Sequence, residues 1–145
     1  MSAVKAFLIE PMAGTIRPVT INLKSSYSDI KRLLKCQMID IVRVSGFDII
    51  VDDNGLNKAV ECLTNVEGAP HPLAGNLLVT KSDRLGELVD VSEAIEDVAT
   101  LFSIIRLEHH PELVAGDGSA TGDLILRIKI RLDHIPLKVV NAANA

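Results

Sequence analysis

The chain has no tryptophan, one tyrosine and three phenylalanines among its 145 residues. Binders of single-stranded nucleic acid stack bases on exposed rings, and so few rings exclude such a platform. With 48% of residues hydrophobic but so few aromatic, the core must be built from Val, Ile, Leu and Ala. Cysteine is equally scarce. Cys36 and Cys62 cannot form a disulfide framework or a paired-cysteine metal knuckle, and free thiols are the default in an intracellular chain. A dominant charge is missing as well. The net charge of −4 is too mild for a DNA mimic and argues against general nucleic-acid or acidic-membrane binding. There is no long hydrophobic run: Ala3 to Ile9 is interrupted by Lys5 and followed by Glu10. That stretch is neither a signal core nor a membrane span, so a soluble, cytoplasmic protein is expected.

Motifs that carry chemistry are also lacking. Gly116 to Gly122 is glycine-rich, but it has no P-loop lysine and leads into a strand pattern instead of the helix a phosphate cradle requires. A flexible connector is expected there. His109 and His110 stand beside Glu108 and Glu112. Adjacent residues on a helix point about 100° apart, so these read as a solvated helix end. The acidic run Asp52-Asp53-Asn54-Gly55, continued to Glu61, matches part of an EF-hand loop. Ile50 occupies the first ligand position, however, and the preceding segment has a strand period. It reads as a turn closing a hairpin. No catalytic set, metal or cofactor is assigned.

What is present is strand and helix periodicity for one α+β domain: a mainly antiparallel sheet of five or six strands packed by two main helices. Ala3 to Ile9 and Thr15 to Leu23 predict an opening hairpin, and Pro18, without a donor, marks an edge. Tyr27, Ile30, Leu33 and Leu34 make one helical stripe between Ser25 and Cys36, with Ser26 and Asp29 as its capping box. In the next segment, Asp40 to Gly55, a two-residue turn at Ser45-Gly46 pairs Val44 with Phe47, Arg43 with Asp48, Val42 with Ile49 and Ile41 with Ile50. Val42, Val44, Phe47, Ile49 and Val51 then share a core face, while Arg43 and Asp48 share the other.

Farther along, Leu56 to Leu63 predicts a helical turn or two, Asn65 to Pro72 a loop, Asn76 to Thr80 a strand and Ser82 to Glu87 a polar turn. Asp90 to Arg106 predicts the clearest helix, through the stripe Val91, Ile95, Val98, Leu101, Phe102 and Ile105. Asp90 with Glu93 is its expected cap. Asp123 to Ile135 alternates cleanly and predicts a long half-buried strand with Arg127, Lys129 and Arg131 along one face. Asn141 to Ala145 reads as a frayed tail.

Several short patterns occur in a shared order: Ile9-Glu10-Pro11, Asp40-Ile41-Val42-Arg43, Val51-Asp52-Asp53-Asn54-Gly55-Leu56 and Pro72-Leu73-Ala74-Gly75-Asn76. Over residues 4–90 the chain resembles a small family of unknown function found in bacteriophages, plasmids and their hosts. The resemblance implies a family-like core at 4–90; residues 91–145, whose periodicity predicts a helix and a long strand, lie outside it. It also implies a mobile-element accessory protein in a bacterial host cell, with no reaction and no site residue to transfer.

The expected function is therefore non-enzymatic binding of a host component, with a counter-defence inhibitor as its most concrete form. The alternatives are a sponge for nucleotide signals, a small hydrolase using Asp52, Asp53 and His71, and a structural or assembly protein. Candidate ligand- or partner-binding residues are Arg43, Asp48, His71, Asn76, Arg127, Lys129 and Arg131. The partner would be a host protein or an anionic small molecule, and long alternating strands favour homo-oligomers.

Overall fold

The Ser45-Gly46 turn holds both residues at positive φ, 55° and 84°, as a two-residue hairpin needs to follow the strand twist. It joins β3 (Ile39–Val44) to β4 (Phe47–Asp52) in the expected register, Arg43 opposite Asp48 and Val42 opposite Ile49. The computed structural model describes residues 3–54, 62–115 and 124–140. Of the helical turns predicted for Leu56 to Leu63, residues 56–61 lie outside the described residues, and Cys62 and Leu63 are strand instead, paired with residues far along the chain. The EF-hand positions Gly55 and Glu61, the glycine-rich connector at 116–122 and the tail at 141–145 also lie outside the described residues.

The hairpin is one edge of a seven-stranded sheet. β1 (Ala3–Glu10) and β2 (Thr15–Asn22) form the predicted opening hairpin. β7 (Leu77–Ser82) bridges β1 and β4, and short β8 (Leu88–Val89) pairs with β7. Beyond β2, β11 (Lys138–Val139) runs parallel to Thr15 and Ile16 and stops short of Pro18. Among the described residues Pro18 thus has no strand on its outer side, where a missing donor costs no ladder bond.

One face of this sheet is covered by α1 (Ser26–Leu34), whose Ile30 and Leu34 bury against Val4, Leu8, Ile21, Ile50 and Leu78. Tyr27 does not join them. It stays 54% exposed, with the Lys31 ammonium 4.6 Å from its ring centre. The expected Ser26–Asp29 box also differs: Asp29 accepts from the Asn22 N–H at 2.9 Å, and Asn22 caps the 3-10 turn Leu23–Ser25. The cap begins earlier because the chain enters α1 through that turn, straight from β2.

The opposite face packs on a second, four-stranded sheet of β5 (Cys62–Val66), β6 (Leu73–Ala74), β9 (Phe102–Ala115) and β10 (Leu124–Pro136), in the order β10-β9-β5-β6. Phe7, Ile9, Phe47, Ile49, Leu77 and Val79 meet Val66, Leu73 and Phe102 between the layers. The α+β class stands, but the sheet content is larger than expected: eleven strands in two sheets among the described residues.

The largest correction concerns Asp90 to Arg106. Only α2 (Ile95–Ala99) is helical, and Phe102 already belongs to β9. The reason is tertiary: β5 pairs with Phe102–Arg106, burying Phe102 and Ile104 between partners about forty residues distant in sequence. Asp90 and Glu93 do not cap a helix. Asp90 accepts from the Lys5 N–H at 2.8 Å, and Glu93 pairs with Lys81 at 2.8 Å. The Lys81 hydrogen bond holds the Glu93 carboxyl below its ordinary range, against an opposing effect of burial. His109 and His110 likewise lie in β9 and not at a helix end.

Among the described residues β5 pairs with β9 only as far as Arg106, and Leu107–Ala115 with Leu124–Leu132 continue as a two-stranded arm of nine residue pairs. At about 3.3 Å per residue the arm is about 30 Å long.

Candidate functional site

Two places collect polar residues outside the core: a cleft at the open end of the β3–β4 hairpin, and the arm. The cleft follows from strand parity. Asp40 pairs with Val51 and so belongs to the same face as Val42, Val44 and Ile49. It is the point where that apolar face reaches solvent. Asp53 extends the ladder one step, its N–H donating to the Met38 carbonyl at 3.0 Å. Asp52 closes the turn by accepting from the Asn54 N–H at 3.0 Å. The expected hairpin-terminating turn is therefore present in its described part.

The facing wall comes from the second sheet. After β5 the chain reverses at Gly68, which has φ 90° and lies so close to the hairpin that an added Cβ would stand 3.2 Å from Val44 Cγ1. The return carries His71 to the lip of the cleft and puts Leu73 opposite Thr64. The resulting space of about 160 Å³ is lined by Asp40, Asp52, Asp53, His71, Val42 and Leu73, among others. His71 Nδ1 stands 3.0 Å from the Pro72 carbonyl. A carbonyl can only accept, so Nδ1 carries the proton and Nε2 is the acceptor in the neutral ring. Asp40 is turned toward its own strand, accepting from the Ile41 N–H at 2.8 Å. This N–H belongs to the outer rim of edge strand β3, and capping it blunts the edge against further strand addition. Among the described residues, no three of His, Cys, Asp and Glu are placed to hold a metal ion.

The remaining sequence candidates are dispersed. Arg43 and Asp48 pair with each other, Nε to Oδ1 at 3.4 Å, and Asp48 also accepts from Ser82 Oγ. Asn76 Nδ2 donates to the Leu33 carbonyl at 3.3 Å and fastens the end of α1 to the start of β7. Arg127, Lys129 and Arg131 lie on β10, at the edge of the four-stranded sheet opposite the one beside His71. Their ladder partners are Glu112, His110 and Glu108. The structure thus brings His71 to Asp52 and Asp53 and keeps the basic row apart from them. Asp40 was missed as a site residue. Its signal was a charged residue in phase with the apolar face of a strand.

Comparison with protein-family models, with curated proteins and with solved structures yields no significant match for this chain. Among the described residues, no helix is long and apolar enough to cross a membrane.

Proposed function

We propose that this chain is a non-enzymatic accessory protein of a mobile element, acting on a bacterial host by binding one of its proteins through the β9–β10 arm. A counter-defence inhibitor is the concrete form of this reading. The observation that carries it is the arm itself: nine residue pairs that have no ladder partner other than each other among the described residues. Along one face the register alternates charge, Glu108 opposite Arg131 and Glu112 opposite Arg127, with Lys129 opposite His110. Such a mosaic selects a partner and its register more than it adds raw affinity. It favours a protein surface over a nucleotide signal, because a phosphate would compete with the carboxylates across the ladder. The test is co-purification from a bacterial lysate with the wild-type chain and with an Arg127→Glu/Arg131→Glu variant. A retained host protein whose capture drops at least ~10-fold in the variant supports the reading. Capture of nothing, or equal capture by both chains, contradicts it.

A small hydrolase is the second reading, favoured by the meeting of Asp52, Asp53 and His71 in one cleft. His71 Nε2 would act as the base toward water. Turnover of simple phosphate or carboxylic esters by the wild type, abolished in His71→Gln, supports it; an inactive wild type removes it.

A further inference from the structure

We infer that the solvent side of α1 is a second docking surface, separate from the arm, that takes an acidic segment of another protein. Of the chain's 15 cations and 19 carboxylates, residues 23–38 hold four of the former (Lys24, Lys31, Arg32 and Lys35) and one of the latter, Asp29. This stretch therefore carries +3 on a chain of −4, and the other residues together carry −7. Asp29 neutralises little of it. Its side chain is only 22% exposed, accepts from the Asn22 N–H and stands 3.7 Å from Arg32 Nη2, while Arg32 remains 67% exposed. Asp52 shares a shallow recess with Lys31 and Lys35 but accepts from the Asn54 N–H. Among the described residues Lys24, Lys31 and Lys35 make no ion pair. By contrast Arg17, Arg43 and Lys81, on the strands, are each answered by a carboxylate.

Helix geometry gathers these charges. Ile30 and Leu34 face the sheet, while Tyr27, Lys31 and Lys35 follow one another at steps of four along one flank. Lys24 precedes Tyr27 by three, the repeat of the 3-10 turn it belongs to. The row is about 17 Å long. The Lys31 ammonium rests 4.6 Å from the Tyr27 ring centre, and Tyr27 is itself 54% exposed. Leu23 and Met38, at the two ends of the stretch, are exposed as well. Helix stability does not account for the row. The dipole favours Arg32 and Lys35 at the C-terminal end, but it disfavours Lys24 ahead of the first turn, and like charges four residues apart, as Lys31 and Lys35 are, oppose helix formation. Cations set among an exposed Tyr, Leu and Met match a protein interface, where Tyr, Met and Arg are enriched. Charge selects the occupant: carboxylates supply what the row lacks. A nucleic acid would meet −7 on the rest of the chain and a single ring to stack on. A membrane would need the apolar side of α1, which the sheet already covers.

The test is fluorescence anisotropy of a labelled peptide of Glu-Glu-Leu repeats titrated with the full chain at low salt. A short single-stranded DNA and phosphatidylserine vesicles are run in parallel. The peptide should bind more tightly than either, and its binding should weaken as salt is raised. Lys31→Gln/Lys35→Gln should weaken peptide binding at least ~5-fold. Arg84→Glu makes the same change in net charge on the exposed turn between β7 and β8, and it should stay within ~2-fold of wild type. Far-UV circular dichroism checks that each variant is folded, and Lys24→Gln/Lys35→Gln serves if the first pair is not. No peptide binding up to ~1 mM, equal weakening by the α1 pair and by Arg84→Glu, or tighter binding of DNA or vesicles overturns the inference. So does loss of peptide binding in Arg127→Glu/Arg131→Glu, which would move the site to the arm.

Discussion

Asp48 and Arg43 face each other across the β3–β4 hairpin, yet they contribute unequally. Arg43 is 78% exposed and Asp48 only 18%. Asp48 accepts from Ser82 Oγ, and its carbonyl accepts from Thr80 Oγ1 at 2.7 Å, so it fastens β4 to β7. Asp48→Ala keeps the backbone carbonyl that Thr80 uses but removes the carboxylate that accepts from Ser82 Oγ, a hydrogen bond to a charged group, and should cost about 1.5–3 kcal/mol. Arg43→Ala removes one exposed ion pair and should cost less than ~1 kcal/mol. Urea unfolding measures both, and equal losses would contradict the assignment.

Thr64 lies on β5, fully buried between Leu73 and Ile104, and its hydroxyl has no hydrogen-bond partner among the described residues. Replacing it by the isosteric valine removes a desolvated polar group without opening a cavity. Thr64→Val should stabilise the fold by about 1 kcal/mol. Lower stability in thermal unfolding would show that the hydroxyl is satisfied in solution.

Lys35 ends α1 in the left-handed region at φ 54°, while Cys36 N–H donates back to the Lys31 carbonyl at 3.1 Å. This is a helix stop that glycine makes without strain. Lys35→Gly should raise stability by up to ~1 kcal/mol, the left-handed penalty less the added chain entropy. Lys35→Ala keeps the strain and should give no such gain. A chemical-denaturation comparison of the two variants decides it.

The ion pair of Glu93 with Lys81 links stability to pH. Because the folded carboxyl titrates below its ordinary range, its contribution is present above the unfolded-state pKa and is lost as pH falls through the folded value. Lys81→Met should destabilise the protein at neutral pH by an amount that fades below about pH 4. A difference that persists undiminished into acid would assign the effect to packing of Lys81 over Phe47, where its ammonium lies 5.3 Å from the ring centre.

Local rules carried the hairpin. Ser45-Gly46 admits few turn geometries, and one turn geometry determines every pair back to Ile39 and Asp52. Long alternation likewise gave β10. Residues 102–106 misled because Phe102 and Ile105 suit a helical stripe as well as a strand; the partner that decides, β5, is about forty residues away and exerts no local signal. The cleft was half legible. Asp52, Asp53 and His71 stood out by residue type, but their meeting depends on Gly68 turning the chain back against Val44. Asp40 could have been read from parity alone. The arm was visible only as one strand, because Pro111 and the two histidines obscured the alternation of β9.

The most direct test of the arm's role is capture from a bacterial lysate, quantified by mass spectrometry. The wild-type chain should retain a host protein that the folded Arg127→Glu/Arg131→Glu variant loses by at least ~10-fold. Equal retention by both chains, or none by either, would contradict the account.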